Sequence, residues 1–195
     1  GSFTTSGALL AKISQHLVRS HDTLAKQTFA IFGASGTVGS TSALIATAQG
    51  AKVKLVAHNG VDQMQMYADM LEKKYGYHFE VVDGASDEDK INILNSATVV
   101  ITAAPVSVRV LEAKHYVDSV SLKVVADVNA VSPSGIEGVD ALFDGVKVGK
   151  TNILGIGALA IGQLKYVTQQ KLLQQMLQGE KPVHLDYNHA FNIAC

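Results

Sequence analysis

The sequence is poor in residues that mark several common classes of protein. Cys195 is the only cysteine among the 195 residues. A single cysteine excludes an internal disulfide and a cysteine-based metal cluster, and it fits a reducing compartment. The formal net charge of −1 gives no electrostatic reason to expect binding to nucleic acid or to an anionic membrane. No apolar run approaches the roughly 18 residues of a membrane span, and no basic-then-apolar leader is visible. These absences predict a cytoplasmic protein without nucleic-acid or membrane partners.

Catalytic signatures of two dehydrogenase classes are also missing. None of the six tyrosines is followed by lysine four residues later, which argues against the Tyr-x-x-x-Lys chemistry of short-chain dehydrogenases. The terminal Cys195 is unsuited to be the nucleophile of an aldehyde-type dehydrogenase. The seven histidines show no metal-ligand spacing. The sequence therefore predicts no metal site and leaves the catalytic residues unknown.

Alternating strand and helix patterns fill most of the chain. Hydrophobic residues make up 47% of the sequence, enough for one domain with a sizeable core. Short β-branched runs predict strands at 28–32, 52–57, 78–82, 98–103 and 123–128, with a short last strand at 146–148. Helical periodicity predicts helices at about 9–17, 37–49, 61–75, 87–96, 106–116 and 157–177. This alternation predicts an α/β fold, a Rossmann-like doubly wound parallel sheet with flanking N- and C-terminal helices.

The two ends of the chain are interpreted as additions to one Rossmann domain that covers residues 1–195. Residues 1–27 and 157–195 are expected to form connecting or packing helices. Gly179 is expected to end the last long helix, with Pro182 following shortly after. His16 and His21 lie on or near the first helix and are predicted to be solvated.

The stretch 28–39 holds the clearest functional motif, a strand that runs through a glycine turn into a helix. Gly33 permits a tight turn, Gly36 lets a pyrophosphate approach the backbone, and Gly39 lets the helix pack close to the sheet. The free N–H groups and positive dipole end of the helix favour phosphate. The alternative is a turn without a ligand. The motif predicts a pyrophosphate site formed by Gly33, Ala34, Ser35, Gly36, Thr37 and Val38.

The end of the second strand leaves the choice of dinucleotide open. Ligands of open parallel sheets lie at the carboxyl ends of the strands. NAD sites usually carry an acid after the second strand, and NADP sites usually carry a base. Here His58 and Asn59 provide neither. We expect both residues to face the adenine ribose, with ordinary loop polarity as the alternative.

Two further strand ends suggest where the nicotinamide half would lie. Ala103, Ala104 and Pro105 follow the fourth strand and leave room for a nicotinamide ribose, unless they form a packed loop. Asn129 follows the fifth strand and is a candidate for a polar contact near the nicotinamide. Asp127 is interpreted as a hydrogen-bond anchor rather than as a catalytic acid.

Two later blocks resemble a known family. The block 124–130 (VVADVNA) with 133–140 (PSGIEGVD) resembles a region of bacterial NAD(P)-dependent methylene-tetrahydromethanopterin dehydrogenases. Residues 155–165 resemble the glycine-bearing entry to their C-terminal helix, and residues 1–5 resemble the start of their cofactor domain. The similarity covers nearly the whole chain in the same order.

The resemblance implies a Rossmann domain that binds NADP or NAD, in an enzyme of one-carbon metabolism. It also implies a pterin substrate and a separate N-terminal substrate domain, which is absent here, so the chain is expected to be a fragment or a stand-alone relative. Relatives that prefer NADP carry an Arg and a nearby Lys after the second strand, whereas this chain has Asn59 and Gly60 or Gln63. A homo-oligomer is expected by analogy.

The chemistry of that family fits the missing acid–base pair. Oxidation of a methylene bridge between two nitrogens releases a hydride and no proton, so positioning matters more than a general base. Two alternatives remain open: a shikimate-dehydrogenase-like oxidoreductase domain, and a non-catalytic module that senses dinucleotides.

Overall fold

The structure, a computed structural model, describes residues 1–178 and 185–195. Its strands are β1 (Thr28–Phe32), β2 (Lys52–Ala57), β3 (Glu80–Asp83), β4 (Val99–Thr102), β5 (Val124–Asp127), β6 (Asp144–Lys147) and β7 (Leu154–Ile156). Its helices are α1 (Ser2–Arg19), α2 (Thr37–Ala48), α3 (Val61–Tyr75), α4 (Asp87–Ser96), α5 (Ala158–Gln178) and α6 (Tyr187–Ala194).

All the strands join one sheet in the order β3-β2-β1-β4-β5-β7-β6. Every neighbouring pair is parallel except β6 and β7, which are antiparallel. The strand order reverses direction between β1 and β4, and this reversal point is where doubly wound sheets bind ligands. The predicted Rossmann-like α/β fold is confirmed.

The central strands are buried on both faces, as their uninterrupted apolar sequence predicts. In β1, Phe29 and Ile31 pack into the cluster beneath α1, α2 and α3, whereas Ala30 and Phe32 pack into the cluster beneath α4. Successive side chains of a strand point to opposite faces, which explains the alternation. The sheet therefore separates two hydrophobic layers and leaves its strand ends free to form a site.

The helix predicted over 106–116 is wrong. The segment is irregular and contains only a 3₁₀ turn at Ala113–His115. Ser107 adopts a left-handed conformation with φ 63°, and Leu111 forms a parallel bridge to Ile136. Both features are incompatible with a continuous helix. The β-branched residues at 106, 108 and 110 alternate, which favours extended chain.

The C-terminal third differs from the sequence-based prediction in two further elements. The strand predicted at 146–148 lies instead at Asp144–Lys147, as β6. The three-residue strand β7 was not predicted. The stretch 185–193 forms α6, whose N-cap Asp186 accepts hydrogen bonds from the backbone N–H groups of Asn188 and His189. The predicted helix stop at Gly179 and Pro182 lies outside the described residues.

His16 is buried, contrary to the prediction that it is solvated. Its ring lies against Gly145, where an added Cβ would stand 2.2 Å from the imidazole carbon Cε1. The Nε2 atom of His16 lies 2.8 Å from a carboxylate oxygen of Asp144, and Lys12 donates to the other oxygen at 2.6 Å. Packing of α1 against the antiparallel β6 thus encloses the ring. His21, just after α1, is exposed as predicted.

Replacement of Asp144 by asparagine is expected to weaken the attachment of α1 to the sheet. Burial acts to raise the pKa of Asp144, but hydrogen bonds from Lys12 and His16 hold that pKa below its ordinary value of 3.8. The carboxylate therefore stabilises the fold above pH 3.8, and this contribution is lost as the pH falls through the lowered folded-state pKa. Because Asp144 is partly exposed, we expect Asp144→Asn to lower the free energy of unfolding by about 1 kcal/mol at pH 7.

Urea unfolding at neutral and acid pH measures this effect. The difference between wild type and Asp144→Asn should shrink as the pH is lowered. Asp118→Asn is the matched control, since Asp118 is exposed and forms no ion pair among the described residues. An equal loss in both variants would contradict the assignment.

Candidate functional site

The sheet register brings three strand ends together at one edge. Phe32, the last residue of β1, pairs with Val56 of β2 and with Thr102 of β4. The turns that follow these strands therefore lie side by side. They open into a cleft of about 580 Å³ at the carboxyl edge of the sheet.

Half of the predicted cofactor-binding residues line this cleft. They are Gly33, Ser35, His58, Asn59, Ala104 and Pro105. The other predicted residues do not line the cleft: Ala34, Gly36, Thr37, Val38, Ala103 and Asn129. Ala34 is fully buried in the hydrophobic core under α2, whereas Gly36 and Thr37 are exposed at the amino end of that helix.

The turn after β1 is built on a close backbone contact. Gly33 has φ 76°, a left-handed conformation that residues with a side chain rarely adopt. A Cβ placed on Gly33 would stand 2.4 Å from the carbonyl oxygen of Ala103. The N–H of Gly36 donates to the carbonyl of Gly33 at 3.1 Å and closes the turn. Only glycine fits at the first position.

The amino end of α2 is left open toward solvent. A Cβ on Gly39 would stand 2.3 Å from the carbonyl oxygen of Gly33, so this glycine lets the helix approach the turn. Ser40 and Thr41 donate back to carbonyls within the first turn of the helix. In the part of the chain that the structure describes, no side chain caps this helix start, and its first turn holds no acidic residue. The arrangement can receive an anion.

Asp127 is a buried hydrogen-bond acceptor beneath the site. It receives hydrogen bonds from the hydroxyl of Thr102 at 2.9 Å, from the N–H of Asn129 at 3.1 Å and from the N–H of Gly135 at 2.6 Å. Burial raises the pKa of this carboxyl, and the hydrogen bonds oppose that rise. The contacts match the role of an anchor, since they leave little capacity for proton transfer.

Asn129 carries an unused donor at the same edge. Its side-chain oxygen accepts the N–H of Val131 at 3.2 Å, which fixes the orientation of the amide. The residue is 9% exposed. Its Nδ2 atom is buried and finds no acceptor among the described residues. A buried amide without a partner is costly, so this group is suited to bind a ligand oxygen.

Several residues that line the cleft were not predicted from the sequence. Two of them are cationic: Lys90 of α4 and Arg109 of the irregular segment after β4. The others are Met64, Tyr67, Gly84, Val108 and Val110 together with residues of β1 and β2. Gly60 and Gln63, which the family resemblance had already aligned with cofactor-binding positions, line the cleft as well. Lys90 follows Ser86 by four residues, and the capping box at Ser86 signals where α4 begins. Arg109 had no such signal, because its segment was predicted as a helix.

The described residues carry no sign of two other kinds of site. Across residues 1–178 and 185–195, no group of three or more histidine, cysteine, aspartate or glutamate side chains is placed to hold a metal ion. None of the helices in these ranges has both the length and the apolar character of a membrane span.

The chain is similar in sequence to an enzyme of the family that its motifs resemble. The chain is 34% identical, over all 195 residues, to the NAD(P)-dependent methylenetetrahydromethanopterin dehydrogenase of Methylorubrum extorquens. It spans 66% of the length of that relative. No family model matches the chain.

Solved dehydrogenase structures and a solved synthase share the fold at much lower identity. The dipicolinate synthase of Bacillus halodurans aligns with a TM-score of 0.53 at 18% identity, and the alignment covers 87% of this chain and 55% of that one. Shikimate 5-dehydrogenase of Listeria monocytogenes, solved with shikimate and NAD, aligns with a TM-score of 0.52 at 13% identity. The alignment covers 97% of this chain and 62% of the Listeria enzyme. These likenesses support the Rossmann-like fold alone.

Replacement of Gly33 by alanine is expected to destabilise the chain. The variant combines a left-handed conformation with a collision against the Ala103 backbone, so we expect it to lower the free energy of unfolding by roughly 2 kcal/mol or more. Chemical denaturation measures the change. Gly162→Ala is the control, because Gly162 lies in α5 and an added Cβ there meets no atom within 4 Å. A stable Gly33→Ala variant would show that the turn is not constrained as described.

Proposed function

Because this chain belongs to the family of NAD(P)-dependent methylenetetrahydromethanopterin dehydrogenases, we propose that it binds NAD(P) in the cleft at the carboxyl edge of its sheet. Bound there, NAD(P) would supply the hydride acceptor for oxidation of a methylene-tetrahydropterin, either tetrahydromethanopterin- or tetrahydrofolate-based. The chain is the cofactor-binding part of that oxidoreductase. The open start of α2, directly after the Gly33 turn, is the observation that carries the proposal.

The residues present fit a dinucleotide pyrophosphate. The helix start offers unpaired N–H groups at Thr37 and Val38, and the glycine turn keeps side chains away from them. The absence of an acidic residue from the first turn of α2 removes one source of repulsion. We assign the pyrophosphate to Gly33, Ser35 and Gly36 together with this helix start.

We assign the two ends of the dinucleotide from the strand ends at the cleft. His58 and Asn59 at the end of β2 are assigned to the adenine ribose. Ala104 and Pro105 after β4 are assigned to the nicotinamide ribose, and Asn129, whose buried Nδ2 atom has no acceptor among the described residues, is assigned as a donor at that end. Ala103 provides backbone rather than side-chain contacts, since its carbonyl packs against Gly33.

The proposed reaction requires little proton transfer by these residues. Conversion of the methylene bridge to a methenyl cation releases a hydride and no proton, and bound NAD(P) supplies the acceptor. The buried Asp127 remains hydrogen bonded and holds the loop that carries Asn129. The task of the chain is to position the dinucleotide and to shield one face of it.

We propose that the pterin binds in the part of the relative that does not align with this chain. The chain spans 66% of that relative, and we propose that the remainder corresponds to a substrate domain. In this proposal α1 and α5, which pack against each other at the side of the sheet, connect the two domains. Activity in one-carbon metabolism, homo-oligomer formation and a cytoplasmic location are parts of the same proposal.

The variant Gly36→Asp tests the pyrophosphate assignment. Gly36 is the N-cap of α2 with φ −73°, a conformation open to any residue, and aspartate is a favourable N-cap. The variant should therefore fold, while its carboxylate occupies the helix N–H groups and repels phosphate. We expect about a tenfold or greater loss of affinity for both NAD⁺ and NADP⁺ in calorimetric titrations.

Gly36→Asn is the matched control. Asparagine has nearly the same shape and also caps helices, but it adds no charge. It should keep more of the affinity than aspartate does. If Gly36→Asp binds both dinucleotides as the wild type does, the pyrophosphate does not lie at this helix and the proposed site is wrong.

A further inference from the structure

Two basic side chains line the cleft from separate parts of the chain. Lys90 lies in the second turn of α4 and is half-buried. Arg109 lies in the irregular segment after β4 and is exposed. Both line the same cleft as His58 and Asn59. The sequence directly after β2 contains no base, so it did not indicate that Lys90 or Arg109 belongs to the site.

Neither cation has a protein anion to neutralise it. Among the residues that the structure describes, Lys90 and Arg109 form no ion pair. The neighbouring Lys114, in contrast, is held by Asp87 at 2.7 Å and by Glu112 at 3.0 Å. The local carboxylates are therefore engaged elsewhere, and two positive charges remain in the cleft.

The lining of the cleft is free of acidic side chains. Within the described wall there is no aspartate or glutamate. The closest acidic residue along the chain after β2 is Asp62, which is exposed in the first turn of α3 and does not line the cleft. A carboxylate that would bind the ribose 2′-hydroxyl and repel a 2′-phosphate is thus missing from the wall.

The two elements that carry the cations are fastened to each other. The N–H of Glu112 donates to the Nδ1 atom of His115 at 2.9 Å, so the Nε2 atom of His115 carries the hydrogen and donates to Asp87 at 2.9 Å. Asp87 opens α4, and His115 lies at the end of the segment that contains Arg109. His115 is 3% exposed. This contact joins the start of α4 to the segment that carries Arg109.

We propose that Lys90 and Arg109 form a subsite for the 2′-phosphate of NADP, so that this chain prefers NADP to NAD although no base follows β2. The proposal rests on the proposed dinucleotide site. A phosphate monoester carries about −1.5 to −2 charges at neutral pH, which two unpaired cations can match.

Calorimetric titration of the whole chain with NADP⁺ and NAD⁺ tests the subsite. We expect the wild type to bind NADP⁺ about tenfold or more tightly than NAD⁺. Lys90→Gln and Arg109→Gln should each weaken NADP⁺ binding about tenfold and change NAD⁺ binding less than about twofold. Lys90→Arg and Arg109→Lys should recover most of the preference. The affinity for NADP⁺ should also fall more steeply with salt than that for NAD⁺.

Lys52→Gln is the matched control, since Lys52 is exposed at the opposite end of β2. It should alter neither titration. Equal NAD⁺ and NADP⁺ affinities in the wild type, or equal losses of both in the glutamine variants, would overturn the 2′-phosphate subsite and leave the dinucleotide site intact. If neither dinucleotide binds the wild type, the proposed function fails together with this inference.

Discussion

The contact between Gly33 and the backbone of Ala103 determines the shape of the site. It joins the turn after β1 to the end of β4, where the order of strands in the sheet reverses. The left-handed conformation at Gly33 directs the chain into α2, and Gly39 lets that helix settle against the turn. Gly33 and Gly39 carry no side chains, so the turn packs directly on the backbone of Ala103 and α2 packs directly on the turn. As a result, the start of α2 faces the cleft. A dinucleotide site of this type needs that geometry before it needs any particular polar residue.

Asp127 supports the other half of the cleft from below. It holds the loop that carries Asn129, and through the N–H of Gly135 it also holds the 133–137 loop. The carbonyl of Gly135 then accepts the N–H groups of Val110 and Leu111. The loop that carries Asn129 and the segment that carries Arg109 thus depend on one buried carboxylate.

Much of the fold could be predicted from local sequence, whereas the full cleft could not. β1, β2 and α3 are correctly predicted from apolar runs and helical spacing, although Met66 and Met70 of α3 are exposed. The glycine turn has a backbone requirement that only glycine meets. The helix predicted over 106–116 is wrong because the alternation of β-branched residues was outweighed in the prediction by helical spacing, and because the bonds of this segment to Ile136 and Gly135 join residues distant in sequence. Lys90 and Arg109 were missed for a related reason: that both line one cleft depends on topology and not on spacing in the sequence.

In the proposed site, the helix start and the two cations bind separate parts of the dinucleotide, and this separation has a consequence for how such a protein diverges. Every substitution at Gly33 introduces a Cβ that the fold cannot place, so that position is closed to mutation. Lys90 and Arg109 are half-buried and exposed, respectively, and they support no core packing. If the proposed subsite is right, substitutions at Lys90 and Arg109 exchange one nicotinamide cofactor for the other in descendants of this chain, while the glycine turn stays fixed.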